Sequence, residues 1–392
     1  KIYRDPRCLS FMKITLLRSA LNEAVGQVSK AVSPRPPIPI LGGIKLEADS
    51  SGMSLTASDT DISIRSFIPA VLDDQVAVNV ERAGSVVLQA KFFAEIVRKL
   101  PTEEIHLEVH DRFQATIVSG ATEIQLVGFD PEEFPVLPSV REDRVFSLPG
   151  SLLKDMIRQT SFAVSTNEST PILTGVHWQL QDGTLRATAT DRHRLASSVA
   201  QTGADPSVQF SDVVISGRTL NELVKIIPDQ DAVVDVVVDD SQVLFRLDNV
   251  LFFARVLDGA YPDTSRIIPR TFKTEFILPA AAFADAIERA YLLSREEKTN
   301  IVRLSTLEDG RIELNSSSSE IGRVTETLQT SSGITGEPLR ISFNSKYFID
   351  ALRVIEADEI FLGFNGPMSP VVLRPRDGED NLHLILPYRT SG

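Results

Sequence analysis

The stretch Thr190-Asp191-Arg192-His193-Arg194-Leu195 sets a carboxylate, an imidazole and two guanidiniums side by side. A hydrolase could use Asp191 to orient His193 for proton transfer. General acid–base chemistry also needs a second positioned group, and the flanking residues supply none. The same string suits a turn at a strand end, with Asp191 accepting backbone N–H bonds. His106 and His110 stand four apart in the alternating run Ile105-His-Leu-Glu-Val-His110, which separates them along a strand. The five histidines form no HExxH pair, and one cysteine, Cys8, cannot build a thiolate zinc site. Leu41-Gly-Gly-Ile lacks the spacing and the lysine of a phosphate loop, and no GxSxG elbow occurs. The residues therefore point to no catalysis, no metal and no cofactor.

The elements that position these groups recur about every 128 residues, three times. Leu88-Gln-Ala-Lys-Phe-Phe-Ala-Glu-Ile-Val-Arg-Lys-Leu100, Ile215-Ser-Gly-Arg-Thr-Leu-Asn-Glu-Leu-Val-Lys-Ile-Ile227 and Phe343-Asn-Ser-Lys-Tyr-Phe-Ile-Asp-Ala-Leu-Arg-Val-Ile355 share one pattern. Each has an apolar end, a small polar pair, a cation and an amphipathic helix. A second helix precedes each unit's strands, over Leu16–Val32, Ser151–Thr166 and Ala280–Lys298. The strands start at Pro39-Ile-Leu-Gly, Pro171-Ile-Leu-Thr and Asn300-Ile-Val. Turns follow at Ser51-Gly52, Asp182-Gly183 and Asp309-Gly310. The order helix, strands, helix, strands, repeated in register, predicts modules at 12–139, 140–271 and 272–392. Lys1–Phe11 falls outside the repeat and reads as a disordered leader or a start-site artefact.

No apolar run approaches the ~20 residues of a membrane span. The near absence of cysteine fits a reducing cytoplasm. Net charge is −13, which argues against nucleic acid until its distribution is read. Six helical segments (16–32, 90–99, 151–159, 218–227, 280–298 and 344–356) carry 14 Lys+Arg against 10 Asp+Glu, a net of +4. The remaining 26 cations and 43 acids give −17, with acids gathered at 73–74, 103–104, 132–133, 229–240 and 377–380. A basic helical surface opposed to an acidic strand surface could hold a phosphate backbone on one side only. No base-reading motif accompanies it.

The strings Arg35-Pro-Pro-Ile-Pro-Ile-Leu-Gly, Leu88-Gln-Ala-Lys-Phe-Phe, Ala187-Thr-Ala-Thr-Asp-Arg-His-Arg-Leu-Ala196, Leu257-Asp-Gly-Ala-Tyr-Pro-Asp263 and Leu384-Ile-Leu-Pro-Tyr-Arg-Thr390 are specific. Together the chain resembles the bacterial DNA polymerase III beta subunit family, the sliding clamps, in its Bacillus-like form. The resemblance covers about residues 12 to 390. It implies an α+β fold of three clamp modules, each of two helices backed by antiparallel sheets, in a crescent. Two crescents would close head to tail as a homodimer ring around duplex DNA, with about +8 along the bore. The ring would tether the replicative polymerase and be opened by a clamp loader. It would also dock repair polymerases, mismatch-repair proteins and ligase through short peptides.

The DNA-facing cations are expected at Arg18, Arg35, Lys91, Lys154, Arg158, Arg218, Lys225, Lys346 and Arg353. Arg35 matches a DNA-contacting arginine of the family; the others follow from their helices. The resemblance implies a peptide pocket of Leu173, Thr190, His193, Arg194, Leu195, Pro262, Ile267, Met368, Pro370, Leu384, Ile385, Leu386, Pro387, Tyr388 and Arg389. Tyr388 departs from the smaller or unbranched apolar residues usual there, and Pro171 and Ile172 replace two DNA-touching tyrosines of some relatives. Leu292 and Leu293 match seam positions that would meet Ile124 of a second copy. A ring or filament without DNA, or a hydrolase at Asp191/His193, are the competing readings.

Overall fold

A computed structural model describes residues 11–72, 74–229, 232–296, 300–318 and 320–389. The leader expected at 1–11 lies outside them except for Phe11, whose amide donates to the Val109 carbonyl at 2.7 Å. Asp73, and the last residues of the helix expected over Ala280–Lys298, also lie outside.

Six α-helices occur among the described residues: α1 (Arg18–Val28), α2 (Ala90–Lys99), α3 (Gly150–Ser161), α4 (Gly217–Val224), α5 (Ala280–Ser294) and α6 (Ser345–Leu352). The helix expected from Leu16 starts later because Met12-Lys-Ile-Thr-Leu-Leu alternates apolar and polar and forms the strand Met12–Leu17. The helix expected to Thr166 ends at Ser161. Near that end the Thr160 hydroxyl donates back to the Met156 carbonyl at 2.7 Å. At α6 the Asn344 side chain accepts from the Lys346 amide at 3.0 Å, which fixes the helix start. The Asp182-Gly183 turn has φ of 50° and 73°, a left-handed pair that explains the glycine.

The chain forms two compact units, Lys1–Gly150 with Lys225–Val256, and Ser151–Val224 with Leu257–Gly392. This division cuts through the expected middle module, and sheet pairing supplies the reason. In the first unit one antiparallel sheet runs in the order 145–149, 233–238, 242–247, 250–255, 62–69, 52–58, 43–49, 84–89. Its joint is Val250–Arg255 against Ile62–Pro69, with Phe252 opposite Ile64. In the second unit the order is 210–216, 175–181, 184–190, 194–201, 381–385, 371–375, 359–364, 274–279, 334–336. There the joint is Arg194–Gln201 against Asn381–Ile385, with Leu195 opposite Leu384. Strands of adjacent expected modules thus share one ladder.

Each unit has a second sheet. The first unit's runs 122–127, 114–119, 104–109, 12–17, 78–82, and the second unit's runs 322–329, 311–318, 301–306, 340–344. Thr122–Val127 and Gly322–Gln329 are sheet edges, each alternating partly buried and exposed residues. Helices cover one face of the sheets. Phe93 of α2, and Phe283 and Phe348 of α5 and α6, are fully buried. The latter two meet edge to face at 5.8 Å. Each such burial contributes about 1.5–3 kcal/mol, more than exposed ion pairs supply. The acidic run at 229–240 is partly neutralised within the first unit: Arg141 donates to Asp239 at 2.8 Å and to Asp240 at 2.6 Å. That hydrogen bonding holds the Asp239 carboxyl at about 2.

Candidate protein-docking site and nucleic-acid interface

Several residues expected to dock a peptide meet at the joint of the second unit's large sheet. Side chains alternate across a sheet, so Leu195 and Leu384, directly opposite one another, share a face with Val372, which is paired with Leu384. These three are buried together under Ile268 and Phe272, with Leu382 beside them. They form an apolar cluster, the candidate floor of the pocket. Thr190 pairs with Leu195 on the next strand and is itself buried. Its amide donates to the Tyr261 hydroxyl at 3.0 Å, which ties the segment after Leu257 to the sheet. Burial raises the Tyr261 pKa and keeps that hydroxyl protonated.

Arg194 and Ile385, one residue along, point to the opposite face. Arg194 donates to Asp191 at 3.0 Å, to Asp350 of α6 at 2.6 Å and to the Phe162 carbonyl at 2.8 Å. Its guanidinium also lies over the Tyr347 ring at 4.8 Å. The side chains of Arg194, Asp191 and Asp350 are 12%, 15% and 19% exposed, so this cluster braces the joint from behind. Asp191 is thereby fully engaged. It also accepts from the amides of His193 at 2.9 Å and Arg194 at 3.0 Å, while the His193 ring stacks on Tyr347. Its carboxylate is occupied by the arginine and two amides.

The rim is exposed. His193, Pro262, Ile267, Met368, Leu386, Tyr388 and Arg389 all face solvent, and Pro370 and Pro387 are partly buried. The Leu386 amide donates to the His193 carbonyl at 2.9 Å, so the chain end continues the joint. One residue expected in the pocket is placed otherwise. Ile385 packs in the third-module core with Phe343 and Phe348, because strand alternation turns it away from Leu384. Leu173 is buried in the short turn Pro171–Thr174, 3% exposed. Val372, Ile268 and Phe272 were missed in the sequence. The signal for Val372 was its place in a strand whose alternate residues match Leu384, and the other two follow Pro262 in the connector.

For nucleic acid, Arg18, Lys91, Arg158, Arg218, Lys346 and Arg353 lie on or next to the helices, with α2 burying Ala90, Phe93 and Val97 and leaving Lys91 outward. Arg35 is exposed in the loop before the turn Pro39–Gly42, and Lys225 is exposed just beyond α4. Arg18 and Arg353 also reach carboxylates, Glu103 at 3.5 Å and Glu288 at 3.7 Å. Lys154 corrects the expectation: it is 7% exposed, on the buried side of α3 with Leu153 and Ile157, and is no surface cation. Among the described residues, no group of three or more His, Cys, Asp and Glu could hold a metal.

Three family models cover almost the whole chain in order. They are the N-terminal domain of the DNA polymerase III beta subunit at residues 12–138, its central domain at 147–263 and its C-terminal domain at 265–389. The chain belongs to the DNA polymerase III beta subunit family. It is 51% identical to the beta sliding clamp of Halalkalibacterium halodurans over 97% of this chain and 100% of that protein. The crystal structure of the Bacillus subtilis DNA polymerase sliding clamp superposes with a TM-score of 0.95 at 48% identity, over 97% of this chain and 100% of that one. A sliding clamp from Bartonella birtlesii, solved bound to griselimycin, gives 0.88 at 30% identity, over 97% and 100%. The α+β architecture expected from the resemblance is thus the beta subunit fold.

Behind the docking floor of this beta subunit lies a buried histidine. Neither ring nitrogen of His383 has a hydrogen-bond partner, and Phe162 stands 5.6 Å away. Burial lowers its pKa to about 4. The unfolded chain therefore binds this proton below about 6.5 while the folded chain refuses it down to about 4. Stability attributable to His383 is complete above that upper value and falls as pH drops through the window. Lowering pH from 7.5 to 5.0 is expected to cost about 2 kcal/mol in urea unfolding through this residue. His383→Leu should lose that share of the pH dependence; an unchanged dependence would refute the assignment.

Proposed function

We propose that the chain is a replication processivity clamp, two copies of which close head to tail around duplex DNA and tether the replicative polymerase. One observation carries the closure. The same joint is made twice within the chain: the third strand of one module's four-stranded half pairs with the last strand of the next module's other half. The equivalent strands left over are Gly322–Gln329 and Thr122–Val127, both at sheet edges. A second copy would repeat the joint at each, so that six modules close with neither joint strand left unpaired. The module boundaries 12–139, 140–271 and 272–392 and the seam residues Ile124, Leu292 and Leu293 belong to this proposal. Ile124 lies on the first edge strand, and Leu292 is half exposed near the end of α5, which packs on the second.

Retention would be topological. Exposed helix cations would hold phosphates weakly and without reading bases, so the ring slides. Release would require opening, the task of a clamp loader. The pocket floor of Leu195, Val372 and Leu384 would dock short segments of the polymerase, the loader, repair polymerases, mismatch-repair proteins and ligase. The proposal includes no catalysis, and the engagement of Asp191 by Arg194 weighs against the hydrolase reading. Location in the cytoplasm follows from this role. Independently, no described helix is long and apolar enough to cross a membrane.

The test uses nicked circular DNA, a bacterial clamp loader and ATP. The protein should co-elute with the circle in gel filtration at moderate salt and leave within minutes once a single-cut restriction enzyme linearises it. Equal retention on circular and linear DNA would overturn the topological reading.

A further inference from the structure

We propose that the docking pocket extends into a second, anion-selective compartment that receives an acidic side chain of the docked peptide. The inference rests on the docking reading above and concerns what lies beside the apolar floor. Next to that floor is a cavity of about 810 Å³, lined by the second unit's large sheet and the connector from Tyr261 to Phe272. Val372, Leu382, Ile268 and Phe272 belong to both the floor cluster and the cavity wall, so the cavity borders the floor directly.

The register explains how the character changes. Leu195, Leu384 and Val372 form one row across the sheet. Two residues along each strand, on the same face, stand Ser197, Leu382 and Arg374, with Thr188 opposite Ser197 and His177 opposite Thr188. One further step brings Arg186. Each step is roughly 6.6 Å, about two residues of an extended peptide. A segment anchored on the floor and running along this face thus reaches the cavity within two to four residues.

Charge commitment decides the sign. The cavity holds Arg186, Arg270 and Arg374 against Asp212, Asp263 and Glu379. Asp263 accepts from the Ser265 amide and hydroxyl and faces Arg266 at 3.6 Å. Asp212 accepts from the Ser211 hydroxyl and lies 3.8 Å from His177. Glu379 faces Arg374 at 3.8 Å, and Arg374 is spent on three backbone carbonyls. Arg186 makes one long hydrogen bond, 3.4 Å, to Ser197, and Arg270 has no ion-pair partner among the described residues. Both are exposed. The lining balances three arginines against three carboxylates, and Arg186 and Arg270 are the two arginines without an ionic partner among the described residues, so they can bind a carboxylate by charge-assisted hydrogen bonds.

The probe is an array of synthetic peptides with a constant anchor pair of leucines, apolar to match the floor, each flanking position set in turn to Glu, Gln or Lys, read against the full-length protein. Glu at positions two to four residues from the anchor on one side should bind about five-fold tighter than Gln, and Lys weaker than Gln. The Arg186→Gln/Arg270→Gln variant should erase the Glu preference and leave the Gln peptide unchanged. Arg186→Glu/Arg270→Glu should transfer the preference to Lys. A Glu preference surviving in both variants, or anchor-dependent binding with no charge preference, would overturn the second compartment while leaving the docking floor intact. No anchor-dependent binding to the unsubstituted protein, or anchor binding that Leu386→Ala leaves unchanged, would instead sink the docking reading and this inference with it.

Discussion

Leu292→Asp should convert an 86 kDa dimer, twice the 43.1 kDa chain, into monomer at micromolar concentration. The effect is large because closure makes two identical seams, so each substitution acts twice. Burying one leucine is worth about 2 kcal/mol, and the aspartate adds the cost of desolvating a charge. Together the two seams lose at least ~4 kcal/mol, about a thousand-fold in the dissociation constant. Ile124→Asp, on the opposite edge strand, should do the same. Val136→Asp is the control: that residue is 94% exposed and belongs to neither edge strand, and its variant should remain dimeric. Sedimentation velocity across a dilution series decides. Leu292→Asp sedimenting with the unsubstituted protein would remove the seam assignment.

The second large effect belongs to Arg194. Removing this guanidinium leaves Asp191 and Asp350 facing each other with their partner gone, 15% and 19% exposed. Deleting one member of such a cluster costs about 3–5 kcal/mol, because the remaining charges stay buried and uncompensated. Arg194→Ala should therefore lower the urea midpoint markedly. It should also weaken docking of an anchor peptide more than ten-fold, although Arg194 points away from the floor. The link is the joint: Arg194 braces the strand that presents Leu195 beside Leu384. Arg194→Met with Asp350→Leu, which removes charge on both sides, should recover part of the loss. An Arg194→Ala protein that docks peptide with unchanged affinity would show that the cluster supports the fold alone.

Much of this was legible in the chain. The helix Ala90–Lys99 was readable to the residue because Phe93 and Val97 recur at helical spacing while Lys91, Glu95 and Lys99 oppose them. Met12–Leu17 shows the limit: its period of two ran directly into a helix, and the apolar Leu16 and Leu17 fit either pattern. The turns at Asp182-Gly183 and Asp309-Gly310 were visible because few other residues tolerate positive φ. Of the pocket residues that the resemblance named, the sheet register brings Leu195 and Leu384 directly opposite one another. Ile385 was misplaced because contiguous residues of a motif alternate faces once they enter a strand. Lys154 was misread for a similar reason, since a cation on an amphipathic helix looks outward until its neighbours are known. Val372, Ile268 and Phe272 stayed hidden because nothing local distinguishes a pocket wall from ordinary core.

The shared ladders have a consequence for synthesis of the chain. The strand Ile62–Pro69 emerges early, yet its partner Val250–Arg255 is made nearly two hundred residues later. At about 5–20 residues per second, that exposed edge waits roughly 10–40 s on the ribosome with its hydrogen-bonding groups unmet. Arg194–Gln201 waits for Asn381–Ile385 in the same way. Neither unit can finish as its own modules are completed, so the nascent protein passes through a stage with open strand edges that its mature form conceals.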